Sequence, residues 1–348
     1  MSSSTPRYRI AVAGATGLVG RTMLKVLAER SFPIASLKLL ASARSAGSTM
    51  EFQGRSYPVE ELTADSFHDV DIVLFSAGGT TSKHFAPIAA QSGAIVIDNS
   101  SAWRMHSYVP LVVPEVNTHA LHDHHGIIAN PNCSTIQLVV ALQPLHLAFT
   151  LKRVVCSTYQ SVSGAGNKGV EALLDEVPHH GEGVQSPRSP FAMQSAYNTM
   201  FHTIKEIDGF SEEETKMIQE TRKIMELPNL RLAMTCVRVP TLGGHAESVN
   251  IETEQNITPS QIRDVLQAAP GLVVMDEPQH NIYPTPLRVN DKDDVFVGHI
   301  RSDDSVEHGA YLWVVSDNIR KGAATNAVQI AEALVQKNLL KFAPRESW

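Results

Sequence analysis

The chain has 348 residues, 43% of them apolar, enough for about two domains with full cores. A net charge of −7 argues against a nucleic-acid partner, and no run approaches the roughly 18 uninterrupted apolar residues of a membrane helix. The three cysteines, Cys133, Cys156 and Cys236, are odd in number and widely spaced, which fits a reducing cytoplasm and neither a disulfide framework nor a zinc site.

Residues 1–7 lack the apolar core of a signal peptide and run into a short apolar strand, 8–13. That strand feeds Gly14-Ala15-Thr16-Gly17-Leu18-Val19-Gly20, followed by a helix over about 21–29. Strand, glycine-rich turn and helix resemble a Rossmann unit, in which backbone approaches a pyrophosphate seated on the helix N-terminus. The spacing is G-x-x-G-x-x-G, so alone it also fits a tight βα turn of another α/β protein. The next strand, 37–41, ends in Ser42-Ala43-Arg44-Ser45 with no acid for a ribose 2′-hydroxyl. Arg44 and Ser45 are suited to a 2′-phosphate, which favours NADP; the alternative is a solvated loop arginine. Further strands at 71–79 and 95–101 follow; Ser76, Gly78 and Gly79 end the first of them, where an open parallel sheet binds its ligand.

A last strand of this half, 127–129, leads to Asn130-Pro131-Asn132-Cys133-Ser134 and a run of apolar residues that opens a buried helix. Cys133 then stands at a helix N-terminus, where free N–H groups and the helix dipole favour a thiolate, a competent nucleophile. The bland reading is a small core cysteine. The cluster His119, His122, His124 and His125 lacks a recognised ligand spacing, and no metal is expected.

In the second half a strand over 154–160 ends at Gln160 and passes into a flexible turn, Ser161-Val162-Ser163-Gly164-Ala165-Gly166. Residues 178–190 read as a surface loop. Ser211 and Glu214 form a capping box for a helix with Met217, Ile218, Thr221, Ile224 and Met225 as its apolar stripe. By residue type, Glu213 and Lys216 are an ordinary solvated pair on that helix. Arg238 is read as a mid-strand arginine, expensive unless something anionic or wet meets it, and His245 follows the Gly243-Gly244 turn, well placed for a cleft. Cysteine, histidine and arginine together suit acyl transfer on a carboxylate-bearing substrate; a surface histidine and a structurally paired arginine are the alternatives. A C-terminal helix over 322–335, with small residues at its start, is expected to return to the first domain.

Taken in order, the Gly14–Gly20 turn, Ser42-Ala43-Arg44-Ser45, Asn130-Pro131-Asn132-Cys133-Ser134, Gln160–Gly166 and the stretch from Leu232 to Val239 ending in Gly244-His245-Ala246 resemble the aspartate-β-semialdehyde dehydrogenase family over essentially the whole chain. The resemblance implies an α/β fold with a Rossmann-like NADP-binding domain (1–132 plus 316–348) and an α+β catalytic and dimerisation domain (133–315). It implies Cys133 as nucleophile, His245 as acid/base and Gln160 orienting the acyl group. Arg238 and Glu213 would hold the amino-acid end, and Arg104, Asn132 and Lys216 the phosphate. The cofactor NADP(H) would meet Gly14, Thr16, Gly17, Leu18, Val19, Gly20, Arg44, Ser45, Ser76, Gly78, Gly79, Ser163, Gly164, Gly166 and Asn318. The implied reaction is reduction of L-4-aspartyl phosphate to L-aspartate 4-semialdehyde, in biosynthesis of lysine, threonine, methionine and diaminopimelate, by a cytoplasmic homodimer or tetramer with no nucleic-acid or membrane partner. The alternatives are N-acetyl-γ-glutamyl-phosphate reductase, against which the Arg238…His245 pattern and the glutamate-rich helix argue, and a non-catalytic NADP-binding protein.

Overall fold

The structure, a computed structural model, describes residues 6–205, 207–345 and 348. Residues 1–5, most of the segment on which the signal-peptide reading rests, lie outside the described residues. The chain divides into two compact units, Met1–Pro131 with Ala323–Trp348, and Asn132–Gly322. The C-terminal boundary therefore falls later than the 316 expected from the sequence.

The first unit is built on a seven-stranded sheet. Its strands are β1 (Tyr8–Ala13), β2 (Ile34–Ala41), β3 (Thr49–Phe52), β4 (Arg55–Glu61), β5 (Ile72–Phe75), β6 (Ile95–Asp98) and β7 (Ile127–Ala129), in the order β3-β4-β2-β1-β5-β6-β7. All pairs are parallel except β3 with β4. The central strands are apolar on both faces because helices cover them. Helices α1 (Leu18–Glu29), α2 (Gly79–Gln91) and α3 (Pro114–Asn117) belong to this unit, and so does the C-terminal helix. Met23 and Leu27 of α1 share one buried cluster with Ile10, Leu39, Ile72 and Ile97 of the strands and with Val328, Ile330 and Leu334 near the C-terminus. α1 starts at Leu18, three residues before the start read from the sequence, so Leu18, Val19 and Gly20 form its first turn. The cause is packing: a Cβ on Gly20 would collide with the Gly14 carbonyl oxygen, and its absence lets the helix begin directly on the turn.

The second unit carries another seven-stranded sheet, with β8 (Leu151–Gln160), β9 (Met200–Phe201), β10 (Arg231–Arg238), β11 (His245–Thr253), β12 (Leu272–Val274), β13 (Val295–Asp303) and β14 (Gly309–Ser316), ordered β12-β13-β14-β11-β8-β10-β9. Helices α4 (Cys133–Phe149), α5 (Asn167–Glu176), α6 (Glu212–Ile224), α7 (Pro259–Ala268) and α8 (Pro286–Val289) accompany it. α4 is apolar nearly all round and packs on β8, β11, β13 and β14, as a core helix must. α6 packs on α4 and β10. The last helix, α9 (Thr325–Gln336), is preceded by a π-helical turn, Arg320–Ala324, and lies in the first unit.

Two local expectations are corrected. The segment after Gln160 is a 3-10 turn, Val162–Ala165, with Ser161, Val162 and Ser163 buried, because their side chains are tied into the sheet end. Arg238 is the last residue of β10 and not mid-strand, so its side chain leaves the ladder at the sheet's end.

Candidate active site

The second unit gathers the polar residues singled out in its sequence around the start of α4. Cys133 is the first residue of that helix and is half-buried. Asn132 caps it: Oδ1 accepts from the N–H groups of Ser134 at 2.9 Å and Thr135 at 3.2 Å. The Asn132 backbone N–H donates to Glu220 Oε2 at 2.7 Å, and its Nδ2 donates to Glu213 Oε1 at 2.6 Å. Gln160 Nε2 reaches the same Glu213 oxygen at 3.3 Å, and Lys216 Nζ lies 3.4 Å from Glu213 Oε2. Glu213 is thus a buried carboxylate at the centre of a cluster, not half of a solvated pair. The helical period explains the error. Glu213 stands four before Met217 and Glu220 three after it, so both glutamates share the buried face of α6 with Met217, Thr221 and Ile224. The stripe read from the sequence should have been extended through them, and Glu220 was missed for the same reason.

A second group surrounds His245. Ser161 N–H donates to His245 Nδ1 at 3.1 Å. A backbone N–H can only donate, so Nδ1 is an acceptor and the neutral ring carries its proton on Nε2. That Nε2 is buried and has no partner among the described residues. Burial, and after it the Arg238 charge, push the imidazole down to about 3. His245 is fully buried, where the sequence suggested a residue open to a cleft. Arg238 Nη1 donates to the Ser161 carbonyl at 2.6 Å, its guanidinium stands 5.1 Å from the Phe191 ring centre, and it makes no ion pair among the described residues. Burial lowers its affinity for the proton, while Glu213 and Cys133 act the other way, which places all three in one electrostatic neighbourhood. A Cβ on Gly164 would stand 3.3 Å from Arg238 Nη1 and 3.6 Å from His245 Nε2, so the bare Gly164 leaves room in front of both.

Asn318 organises this group. Its Oδ1 accepts from Gly244 N–H at 2.9 Å and from Ser161 Oγ at 3.1 Å, and its Nδ2 donates to Ser163 Oγ at 3.0 Å. Ser163 and Asn318 are buried and mutually engaged, whereas Gly166, at φ +73° and half-buried, opens α5. Gly322, first of the small residues that open the C-terminal run, has its α-carbon pressed so close to Cys133 that an added Cβ would come within 2.9 Å of the Cys133 Cβ.

The remaining predicted residues lie in the first unit. Gly14, at φ +83°, passes so near the end of β5 that a Cβ there would collide with the Ser76 carbonyl oxygen. α1 opens at Gly17 and α2 at Gly78 with no side-chain cap, and no acidic residue stands in either first turn. Bare backbone and two uncapped helix N-termini fit a dinucleotide's phosphates. Arg21 Nε holds the Thr16 carbonyl at 3.1 Å, keeping the turn in place. Arg44 is exposed after β2, with Ser45 beside it in the same turn. Arg104 is buried in this unit, donating to the carbonyls of Asn130 and Asn99, both at 3.0 Å. No group of three or more potential metal ligands occurs among the described residues.

Comparison with known proteins agrees with this division. Residues 9–124 match the family described as "Semialdehyde dehydrogenase, NAD binding domain", and residues 142–321 match "Semialdehyde dehydrogenase, dimerisation domain". Aspartate-semialdehyde dehydrogenase of Aquifex aeolicus (strain VF5) is 54% identical over 338 residues, covering 96% of this chain and 99% of that one. That of Bacillus subtilis (strain 168) is 49% identical, covering 95% and 98%. The crystal structure of aspartate semialdehyde dehydrogenase II complexed with ASA from Vibrio cholerae superposes with a TM-score of 0.91 at 45% identity, covering 95% of this chain and 99% of that one. With both domains matched and such identity along nearly its whole length, the chain belongs to the aspartate-semialdehyde dehydrogenase family.

Proposed function

We propose that this oxidoreductase converts L-4-aspartyl phosphate to L-aspartate 4-semialdehyde through a thioester on Cys133, with NADP(H) as cofactor and as a cytoplasmic homodimer. The observation that carries the residue-level reading is the cluster in which Asn132, Gln160 and Lys216 converge on Glu213, while Arg238 feels the charges of Glu213 and Cys133, and His245 those of Arg238 and Glu213.

In the biosynthetic direction the Cys133 sulfur bonds to the acyl carbon, and the acyl–phosphate bond breaks as phosphate leaves. Gln160 orients the acyl group, and Asn132, Lys216 and Arg104 hold the phosphate. Arg238 presents a planar two-donor fork to the α-carboxylate, and Glu213 takes the α-ammonium. When bound, NADPH supplies the hydride that reduces the thioester, which accepts it more readily than a carboxylate does. His245 carries its proton on Nε2, the nitrogen left open by Gly164, so it can donate to the oxygen that gains charge. Neutral and held near 3, the ring gives that oxygen a hydrogen bond while keeping its proton, which stabilises the developing charge. The thiohemiacetal then collapses, releasing the semialdehyde and restoring the Cys133 sulfur.

The choice of NADP rests on Arg44 and Ser45 after β2, in place of an acid. The homodimer rests on the dimerisation domain matched at 142–321. The deciding experiment is NADP reduction with L-aspartate 4-semialdehyde, with and without inorganic phosphate. Turnover that needs phosphate is expected; turnover indifferent to phosphate overturns the acyl-phosphate assignment.

A further inference from the structure

His202 follows β9 directly, and β9 pairs antiparallel with the end of β10, Met200 opposite Arg238 and Phe201 opposite Val237. The chain after Phe201 runs back along β10, so His202 stands two residues from the position opposite Arg238. The charges facing His202 are Glu213, Glu214 and Lys216 from α6 and Arg238 from β10, and His245 at the head of β11 feels it in turn. Its Nε2 is buried, with no hydrogen-bond partner among the described residues. A buried ring nitrogen left without a partner is costly, so this one needs a partner that the described protein atoms do not supply, a role open to a bound ligand. Lys216, meanwhile, has much of its charge committed, lying 3.4 Å from Glu213 and 4.0 Å from Glu212. A phosphate dianion held by Lys216 therefore calls for another donor.

We propose that His202 is a further substrate-binding residue, with Nε2 donating a hydrogen bond to the phosphoryl oxygens of the acyl phosphate or, in the reverse direction, to inorganic phosphate. The proposal rests on the reading above that Lys216 and Asn132 hold the phosphate. Burial holds the free imidazole down to about 4, so it is neutral near pH 7. A dianion arriving beside it favours the charged form, so phosphate binding takes up a proton.

The test compares the wild type with His202→Ala and His202→Gln, the latter keeping a neutral donor of similar reach. In the phosphate-dependent direction, KM for phosphate should rise about tenfold or more in His202→Ala, with KM for semialdehyde and for NADP unchanged and the melting temperature kept. His202→Gln should recover part of that affinity but lose the proton uptake, so its KM ratio to wild type should shrink as pH rises from about 6 to about 9. Calorimetric titration of the NADP-bound protein with inorganic phosphate, in two buffers of different ionisation heat, reads the same affinity and proton uptake without turnover. Equal phosphate affinity in wild type and His202→Ala overturns the proposal, as does a change confined to the semialdehyde KM or to stability. A wild type that binds phosphate through His202 but shows no phosphate-dependent turnover would instead sink the function and leave this site standing.

Discussion

Asn132 Nδ2 donates to Glu213 Oε1 over 2.6 Å, while Asn132 Oδ1 caps the helix that Cys133 begins. One amide thus ties the proposed nucleophile's helix to the carboxylate assigned to the substrate's ammonium group. Asn132→Asp separates the two duties. Aspartate caps about as well as asparagine, so the melting temperature should hold. Its second oxygen, however, replaces a donor facing Glu213, and two carboxylates at that distance cannot both ionise freely. We expect kcat/KM for semialdehyde to fall at least tenfold near pH 8 and to recover in part near pH 6. An unchanged pH profile would show that the bond is not used.

Cys133→Ser should abolish phosphate-dependent NADP reduction while leaving cofactor affinity and melting temperature intact. A serine hydroxyl does not ionise near neutral pH, so the attack fails. Gly322→Ala tests the same atom from outside: its new methyl would press on Cys133 and should lower kcat with little change in cofactor affinity. Near-normal turnover in the serine variant would remove Cys133 from the chemistry.

Much of this was legible in the sequence. The glycine turn, the alternation of strands and helices, and the Ser211–Glu214 capping box each have local chemical causes, and the structure shows them at those residues. The cluster around Glu213 was not, because residue type favours solvent for a glutamate three before a lysine. Only the resemblance to a family singled out Glu213, and the structure shows why: Asn132 and Gln160 arrive from elements distant in sequence. The contact of Gly322 with Cys133 and the surroundings of His202 were not legible for a related reason. Gly322 meets Cys133, and His202 meets groups of α6 and the end of β10, and no local pattern encodes either.

Arg44→Asp should narrow or reverse a preference for NADP over NAD. The 2′-phosphate would lose a charge-assisted contact and meet a like charge. Arg44 is exposed, so folding should not suffer. The ratio of kcat/KM values for the two cofactors, measured in both proteins, reads this directly; equal values in the unmodified protein would rule out the preference.

Arg238→Lys should cost far more in activity than in stability. Arg238 makes no ion pair to lose among the described residues, but one of its nitrogens holds the Ser161 carbonyl. That leaves the rest of a rigid fork for a carboxylate, and an ammonium on a flexible stem cannot do both. We expect a drop of about tenfold or more in kcat/KM for semialdehyde at unchanged NADP affinity, in line with loss of a charge-assisted pair of bonds. Lysine tolerated kinetically, with a lowered melting temperature, would mean a structural arginine.

Stability against pH tests the buried titrating groups together. His245 is held down from 6.5 to about 3 and His202 to about 4. Below pH 6.5 the unfolded chain takes up protons that the folded one refuses, so each group lowers stability as pH falls toward its folded value, by at most ~1.4 kcal/mol per pH unit. Glu247 works the other way. Fully buried, it is raised well above 4.5, so the folded state keeps a proton that the unfolded state releases, and stability falls as pH rises above 4.5. Burial also lowers His124 and His146 and raises Asp98, so in the window between 4.5 and 6.5 four histidines oppose Glu247 and Asp98, and the urea midpoint of the wild type should fall on acidification. His245→Asn should make that acid slope shallower, and Glu247→Gln should steepen it while raising the midpoint near pH 8. An acid slope identical in wild type and His245→Asn would mean that His245 is not held neutral in the folded protein.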